Sequence, residues 1–176
     1  MSEDADLLAV TFLDFSVRKF RLLASRIETC VGELTEEQVW ARGGENENAV
    51  GNLVLHLCGN VRQWIVAGVS GVRDIRDRDS EFAARGGAGI AELLAKLRTT
   101  VADACAVLDS VTAERLAQRV TIQGYDVSVL EAIYAVVEHF SMHTGQIIFA
   151  TKAARGADLG FYRHLRGGPA HKEKTP

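Results

Sequence analysis

Apolar residues recur at helical intervals along four long stretches of the chain, with polar breaks between them. From about Asp6 to Cys30, the residues Leu8, Phe12, Phe15, Phe20, Leu23, Ile27 and Cys30 fall three to five positions apart. That spacing traces one apolar stripe on an α-helix, with Arg18, Lys19, Arg21 and Arg26 on the outward side. After Gly32, Thr35-Glu36-Glu37-Gln38 has the form of a capping box and predicts a single turn ending near Trp40. A polar loop from Gly43 to Asn48 leads to a second helix, expected from about Ala49 to Val69, whose stripe is Leu53, Leu57, Val61, Trp64 and Ile65. A third helix spans about Gly89 to Asp109 on Ile90, Leu93, Leu94, Leu97, Val101, Cys105 and Leu108. The fourth begins near Ser128, where Glu131 completes a second capping box, and runs to about Ala154 before Gly156. Its inward row is Ala132, Val136, His139, His143, Ile147 and Ala150.

The connections carry different signals. Ser70 to Gly89 is charged, and Arg73-Asp74-Ile75-Arg76-Asp77-Arg78-Asp79 alternates in sign, the pattern of a solvated surface with no chemistry of its own. A connection of about twenty residues exceeds the usual length and fits a lid or a crossover between distant helices. Thr112 to Arg115 predicts another short turn, and Arg119 to Val127 an extended segment turning at Gly124. The tail carries Phe161, Tyr162, His164 and Leu165, and reads as disordered beyond Gly167. Only two prolines interrupt the chain, which favours long helices over a loop-rich β fold. The expected fold is all-α: a four-helix bundle with a long crossover between helices 2 and 3 and a short extended segment before helix 4. Residues 1–166 form its single domain and residues 167–176 the tail.

Candidate chemistry lies on the second and fourth helices. His139 and His143 are four residues apart, about one turn, so their imidazoles project from one face. Two stacked imidazoles can grip a transition metal and leave further ligands to come from elsewhere. The bland alternative is a pair of core histidines satisfied by hydrogen bonds, although buried imidazoles are costly unless something uses them. The second helix bears a polar row, Asn48, Asn52, His56, Asn60 and Gln63, which lines a wet cavity or faces solvent. His56 in that row is the best third ligand. Three histidines on facing helices would leave coordination positions open, as in a catalytic or ligand-binding site. Three imidazoles suit Zn, Ni, Fe or Co; such an ion lowers the pKa of bound water towards about 7 or deprotonates a thiol. Asn52, Asn60, Gln63 and Gln146 are candidates to orient substrate or imidazoles. Glu138, rotated about 100° from His139, is a candidate hydrogen-bond partner for the histidines.

At 176 residues the chain can bury a full core without covalent staples. The net charge of −3 gives no reason to expect nucleic acid as a partner. Cys30, Cys58 and Cys105 are widely spaced within apolar helical stretches, where free cysteine acts as a small hydrophobe; Cys58 points about 200° away from His56. The acidic N-terminus is no signal peptide, and no apolar run is long enough to span a membrane. The protein is expected in the cytoplasm. No Ser/His/Asp arrangement occurs, and Gly86-Gly87-Ala88-Gly89 lacks the strand and the Lys-Ser/Thr of a phosphate-binding loop.

The segments Asn52 to Trp64 and Glu138 to Lys152, with one histidine on the second helix and His-x-x-x-His-x-Gly-Gln on the fourth, resemble the DinB/YfiT-like metalloenzyme superfamily, closest to an uncharacterised branch of it. The resemblance implies an up-down-down-up bundle, often a homodimer, with a divalent metal held by His56, His139 and His143. Relatives of this kind include transferases and isomerases that use low-molecular-weight thiols. The expectation is therefore a metal-dependent transferase, with a thiol as possible cofactor, or a hydrolase acting on a small electrophile. The alternative is a metal- or small-ligand-binding stress-response protein without turnover.

Overall fold

The computed structural model describes residues 3–163 of the chain; His164, His171 and the expected tail fall outside them. It is mostly helical, in the order α1 (Glu3–Gly32), α2 (Glu36–Trp40), α3 (Val50–Val61), a π-helical continuation of α3 (Arg62–Val69), α4 (Arg78–Ala83), α5 (Ile90–Asp109), α6 (Ala113–Ala117), β1 (Arg119–Ile122), β2 (Tyr125–Ser128) and α7 (Val129–Arg155). Each long stripe read from the sequence became a helix. Local chemistry sets the ends: the Thr35 side chain caps α2 and the Ser128 side chain caps α7, each within the expected box.

Among the long helices, α1 packs on α7 and α5, and α3 packs on α5 and α7. Phe20, Ile27, Leu57, Ile65, Leu93, Leu97, Leu108, Ile133, Phe140 and Ile147 are fully buried between them. Phe20 meets Phe140 edge to face at 5.5 Å, the arrangement that aromatic quadrupoles favour. All three cysteines are free and buried. Cys58 lies in this core, where burial raises its thiol to about 11.

Three expectations needed correction. Leu8 is 71% exposed and its neighbours Leu7 and Val10 are 65% and 63% exposed, so the apolar side chains of the first turns face solvent and the α1 stripe instead starts with Ala9 and Leu13. The second helix does not stay α-helical to Val69 but widens after Val61 into i→i+5 turns. On α7 the buried stripe is Val136, Phe140, Thr144, Ile147 and Thr151, and the two histidines flank it, half-buried. An imidazole at the shoulder of a stripe keeps one edge in the core and the other in a cleft.

The extended segment before α7 is a two-stranded antiparallel hairpin pairing Ile122 with Tyr125. Its two turn residues, Gln123 and Gly124, both have positive φ (52° and 81°), as a type I′ hairpin turn requires. The hairpin presents Gln123 to α3's continuation, where Trp64 Nε1 donates to Gln123 Oε1 at 3.2 Å.

Candidate metal centre

His56 comes from the middle of α3, and His139 and His143 from the middle of α7. The Nε2 atoms of His56 and His143 lie 3.2 and 3.1 Å from His139 Nε2, and one ligating nitrogen from each ring lies within 4.8 Å of the others. Neighbours on the far side of two rings fix their tautomers. His143 Nδ1 sits 2.6 Å from Gln146 Oε1, one α7 turn on, and His56 Nδ1 sits 3.0 Å from Glu81 Oε2. Both neighbours are oxygen acceptors. Arg76 Nη2 also lies 3.1 Å from His56 Nδ1 but donates at 2.8 Å to the same Glu81 oxygen. With the carboxylate taking the ring proton, both Nδ1 atoms carry a proton and both Nε2 atoms present lone pairs inwards. His139 can offer one Nε2 proton at most between them. Burial first, then the His143, His56 and Arg76 charges, lower His139 to about 4, so it takes no second proton near neutrality. Burial likewise lowers His143, against the Gln146 hydrogen bond. Converging lone pairs that protons do not fill form a donor set suited to a cation. The residues fit the metal that the sequence pattern implies.

Glu81 is the residue the sequence reading missed. It stands in α4, in the charged connection from Ser70 to Gly89 and just beyond the alternating run, yet it is only 7% exposed. Arg76 clasps it with two hydrogen bonds, Nε to Oε1 and Nη2 to Oε2, both 2.8 Å, and the Arg76 side chain is 3% exposed. Burial alone would raise the Glu81 carboxyl, but the hydrogen bonds from Arg76 and His56 and the Arg76 charge hold it below the usual carboxylate range. Arg76 Nη1 also donates to Gln63 Oε1 at 2.9 Å. Gly59, one turn beyond His56, makes the approach possible: a Cβ there would overlap the Glu81 carboxylate and press on Arg76 Nε. The only sequence signal was the length of the crossover.

The polar row on α3 divides in function. Asn48 is exposed. Asn52 is fully buried and fastens the crossover: its Nδ2 donates to the Glu81 and Ala84 carbonyls (2.8 and 3.0 Å), while Oδ1 accepts from Ala49 N (3.1 Å) and Arg42 Nη2 (2.6 Å). Its hydrogen-bonding capacity is used up, so it is not free to orient a substrate. Gln63 positions Arg76. Asn60 Oδ1 is buried with no partner among the described residues, as is His139 Nδ1. Glu138 is exposed and makes no hydrogen bond to a histidine; the carboxylate serving the triad is Glu81. Phe82, next to Glu81, packs on the His56 ring at 4.7 Å between centroids. Among the described residues no helix is long and apolar enough to cross a membrane.

Residues 8–165 match the family described as protein of unknown function DUF1572. No curated protein matches the chain. A conserved protein from Enterococcus faecalis superposes with a TM-score of 0.70 at 16% identity, covering 82% of this chain and 97% of that one. A DinB-like protein from Bacillus subtilis, YjoA, gives 0.65 at 16% identity over 84% and 96% of the two chains. A DinB-like protein from Bacillus cereus gives 0.66 at 13% identity over 82% and 93%. At such identities the likeness concerns the fold. The chain therefore belongs to the DUF1572 family and has a DinB-like helical fold, with three histidines of α3 and α7 gathered where a metal ion could be held.

Proposed function

We propose that this protein is a divalent-metal-dependent enzyme of the transferase or hydrolase class, acting on a small electrophilic substrate. The observation that carries the reading is the inward convergence of three Nε2 atoms, with the His56 and His143 rings held from outside by Glu81 and Gln146. A Zn, Ni, Fe or Co ion bound there would supply Lewis acidity, activating water or a low-molecular-weight thiol. The chain's own residues do the rest. Glu81 holds the proton on His56 Nδ1, and Gln146 holds the one on His143 Nδ1. Arg76 neutralises Glu81, so the carboxylate orients the ring without adding a net charge beside the site. The Arg76, Glu81 and Phe82 side chains cover His56 on its crossover side.

An up-down-down-up bundle and a homodimer belong to the same reading. The pairing of α1 with α5 and α7, and of α3 with the same two helices, supports the first. Exposed Tyr134, Met142 and Phe149 on α7 support the second. Residence in the cytoplasm fits the three free cysteines.

The test is metal content by mass spectrometry on untagged protein, with His143→Ala beside it. About one equivalent of a transition metal, lost in the variant, is expected. Absence of binding after reconstitution with Zn, Ni, Fe and Co would overturn the assignment. Metal without turnover of thiol-dependent or hydrolytic substrates would leave a binding protein.

A further inference from the structure

A cleft of about 350 Å³ opens beside the triad, with His56 and His139 in its wall together with Asn60, Trp64, Arg78 and Glu138. Two of these residues carry opposite charges and make no ion pair among the described residues. Arg78 has no carboxylate partner among the described residues; its guanidinium lies over the Phe82 ring, 4.8 Å from the centroid. Phe82 in turn lies on His56, so the stack holds the cation at the cleft, with the guanidinium edge left to bind. Glu138 has no hydrogen-bond or ion-pair partner among the described residues either. The two do not pair with each other, although both line the same small cleft.

The neutral part of the wall is incomplete in the same complementary way. Asn60 Oδ1 is a buried acceptor with no donor, and His139 Nδ1 is a buried nitrogen with no partner. Once the His139 Nε2 lone pair is given to a metal, Nδ1 is a donor. Buried polar atoms are rarely left unpaired, and a ligand that offered both a donor and an acceptor would satisfy both. Trp64 supplies an apolar surface between them. The cleft is mostly polar, with Trp64, Ala135 and Val136 as its apolar wall, and polar groups that converge on one small space can fix the orientation of a ligand.

We propose that this cleft binds a small zwitterion, with its carboxylate on Arg78 and its ammonium on Glu138 and Asn60 Oδ1. The proposal takes the histidine triad as the reactive end of the cleft and so rests on the reading above. Arg78 and Glu138 are specificity-determining residues on this account, and neither is placed to hold the metal.

The test uses the ω-amino acids from glycine to 6-aminohexanoate as probes, each set beside the carboxylate and the amine of the same length. Binding is measured by calorimetry to the full chain, metal-free and zinc-loaded. One length is expected to bind about tenfold or more tightly than either of its single-charge analogues. Arg78→Ala should reduce the zwitterion to the level of the amine, and Glu138→Gln to that of the carboxylate. Both side chains are exposed, so both variants should keep the fold. A smaller preference at every length, or one that the two variants leave intact, would overturn the proposal. Cobalt absorption on the same samples reports separately on the triad. Metal loading without zwitterion preference defeats this inference alone, and preference without metal loading defeats the metal reading alone.

Discussion

Glu81 reaches His56 across 25 residues of sequence, its Oε2 lying 3.0 Å from His56 Nδ1 in a spot where both side chains are less than a tenth exposed. The contact joins the crossover to the triad, so whatever loosens the crossover should be felt at the metal.

Replacing Glu81 by Gln keeps the size of the side chain and can still accept from His56, but it removes the charge. Outer partners of metal-bound histidines typically govern 10- to 100-fold in affinity. Zinc affinity is expected to fall by roughly that factor in a competition titration, with helix content unchanged. Glu81→Ala is more damaging, because Arg76 is then buried without its counter-charge; a loss of about 3 kcal/mol is expected in denaturant unfolding.

Gly59→Ala tests whether close approach matters more than helix propensity. Alanine favours a helix interior by about 1 kcal/mol over glycine, yet its Cβ would overlap a carboxylate pinned by Arg76 and His56. Overpacking typically costs about 1–3 kcal/mol. The melting temperature is therefore expected to drop and zinc affinity with it; a more stable variant with unchanged affinity would show that Glu81 is free to move aside.

Asn52→Ala leaves the Glu81 carbonyl and the Ala49 amide without their side-chain partner in the interior and removes one of the three acceptors of Arg42 Nη2. Each unmet buried group costs about 1–3 kcal/mol, and the crossover loses its fastening. Expected outcomes are a destabilisation of at least about 2 kcal/mol and faster proteolysis within residues 70–85.

Acid should destabilise the metal-free protein in a defined window. His139 is lowered from its ordinary 6.5 to about 4, chiefly by burial. The unfolded chain therefore takes up this proton first as pH falls, so stability rises with pH between those values. The neutral ring's contribution is complete above about pH 6.5 and is lost on descending to about pH 4. Its size should be of the order of 2 kcal/mol once screening of a half-buried ring is allowed for. Urea unfolding at stepped pH checks this, and His139→Phe should flatten the dependence in that window.

Chelation should change stability modestly. The core of Phe20, Ile27, Leu57, Leu97, Phe140 and Ile147 is complete without the triad, so metal is not needed to close it. Equilibrium unfolding with and without a chelator should differ only by the binding linkage, whereas collapse of the fold would mark the metal as structural.

Much of this protein is written locally. The stripes, the capping boxes at Thr35 and Ser128 and the turn at Gly124 depend on neighbours within a few residues, so spacing alone located them. The His139–His143 pair is legible for the same reason, since four residues on a helix bring two rings to one face. His56 needed a second helix to meet it, and its place on the polar row of α3 pointed that way. The Arg76–Glu81 clasp could not be read. A charged connection is normally hydrated, and nothing within it marks which two side chains will leave water. Their burial depends on a notch at Gly59, on the Asn52 amide that ties down Glu81 and Ala84, and on a histidine 25 residues away. Those relations exist only once α3 and the crossover have packed. The sequence by itself determined the helices and the candidate histidines; tertiary structure decided which charges surround them, because only packing can set the desolvation cost of a buried pair against its hydrogen bonds.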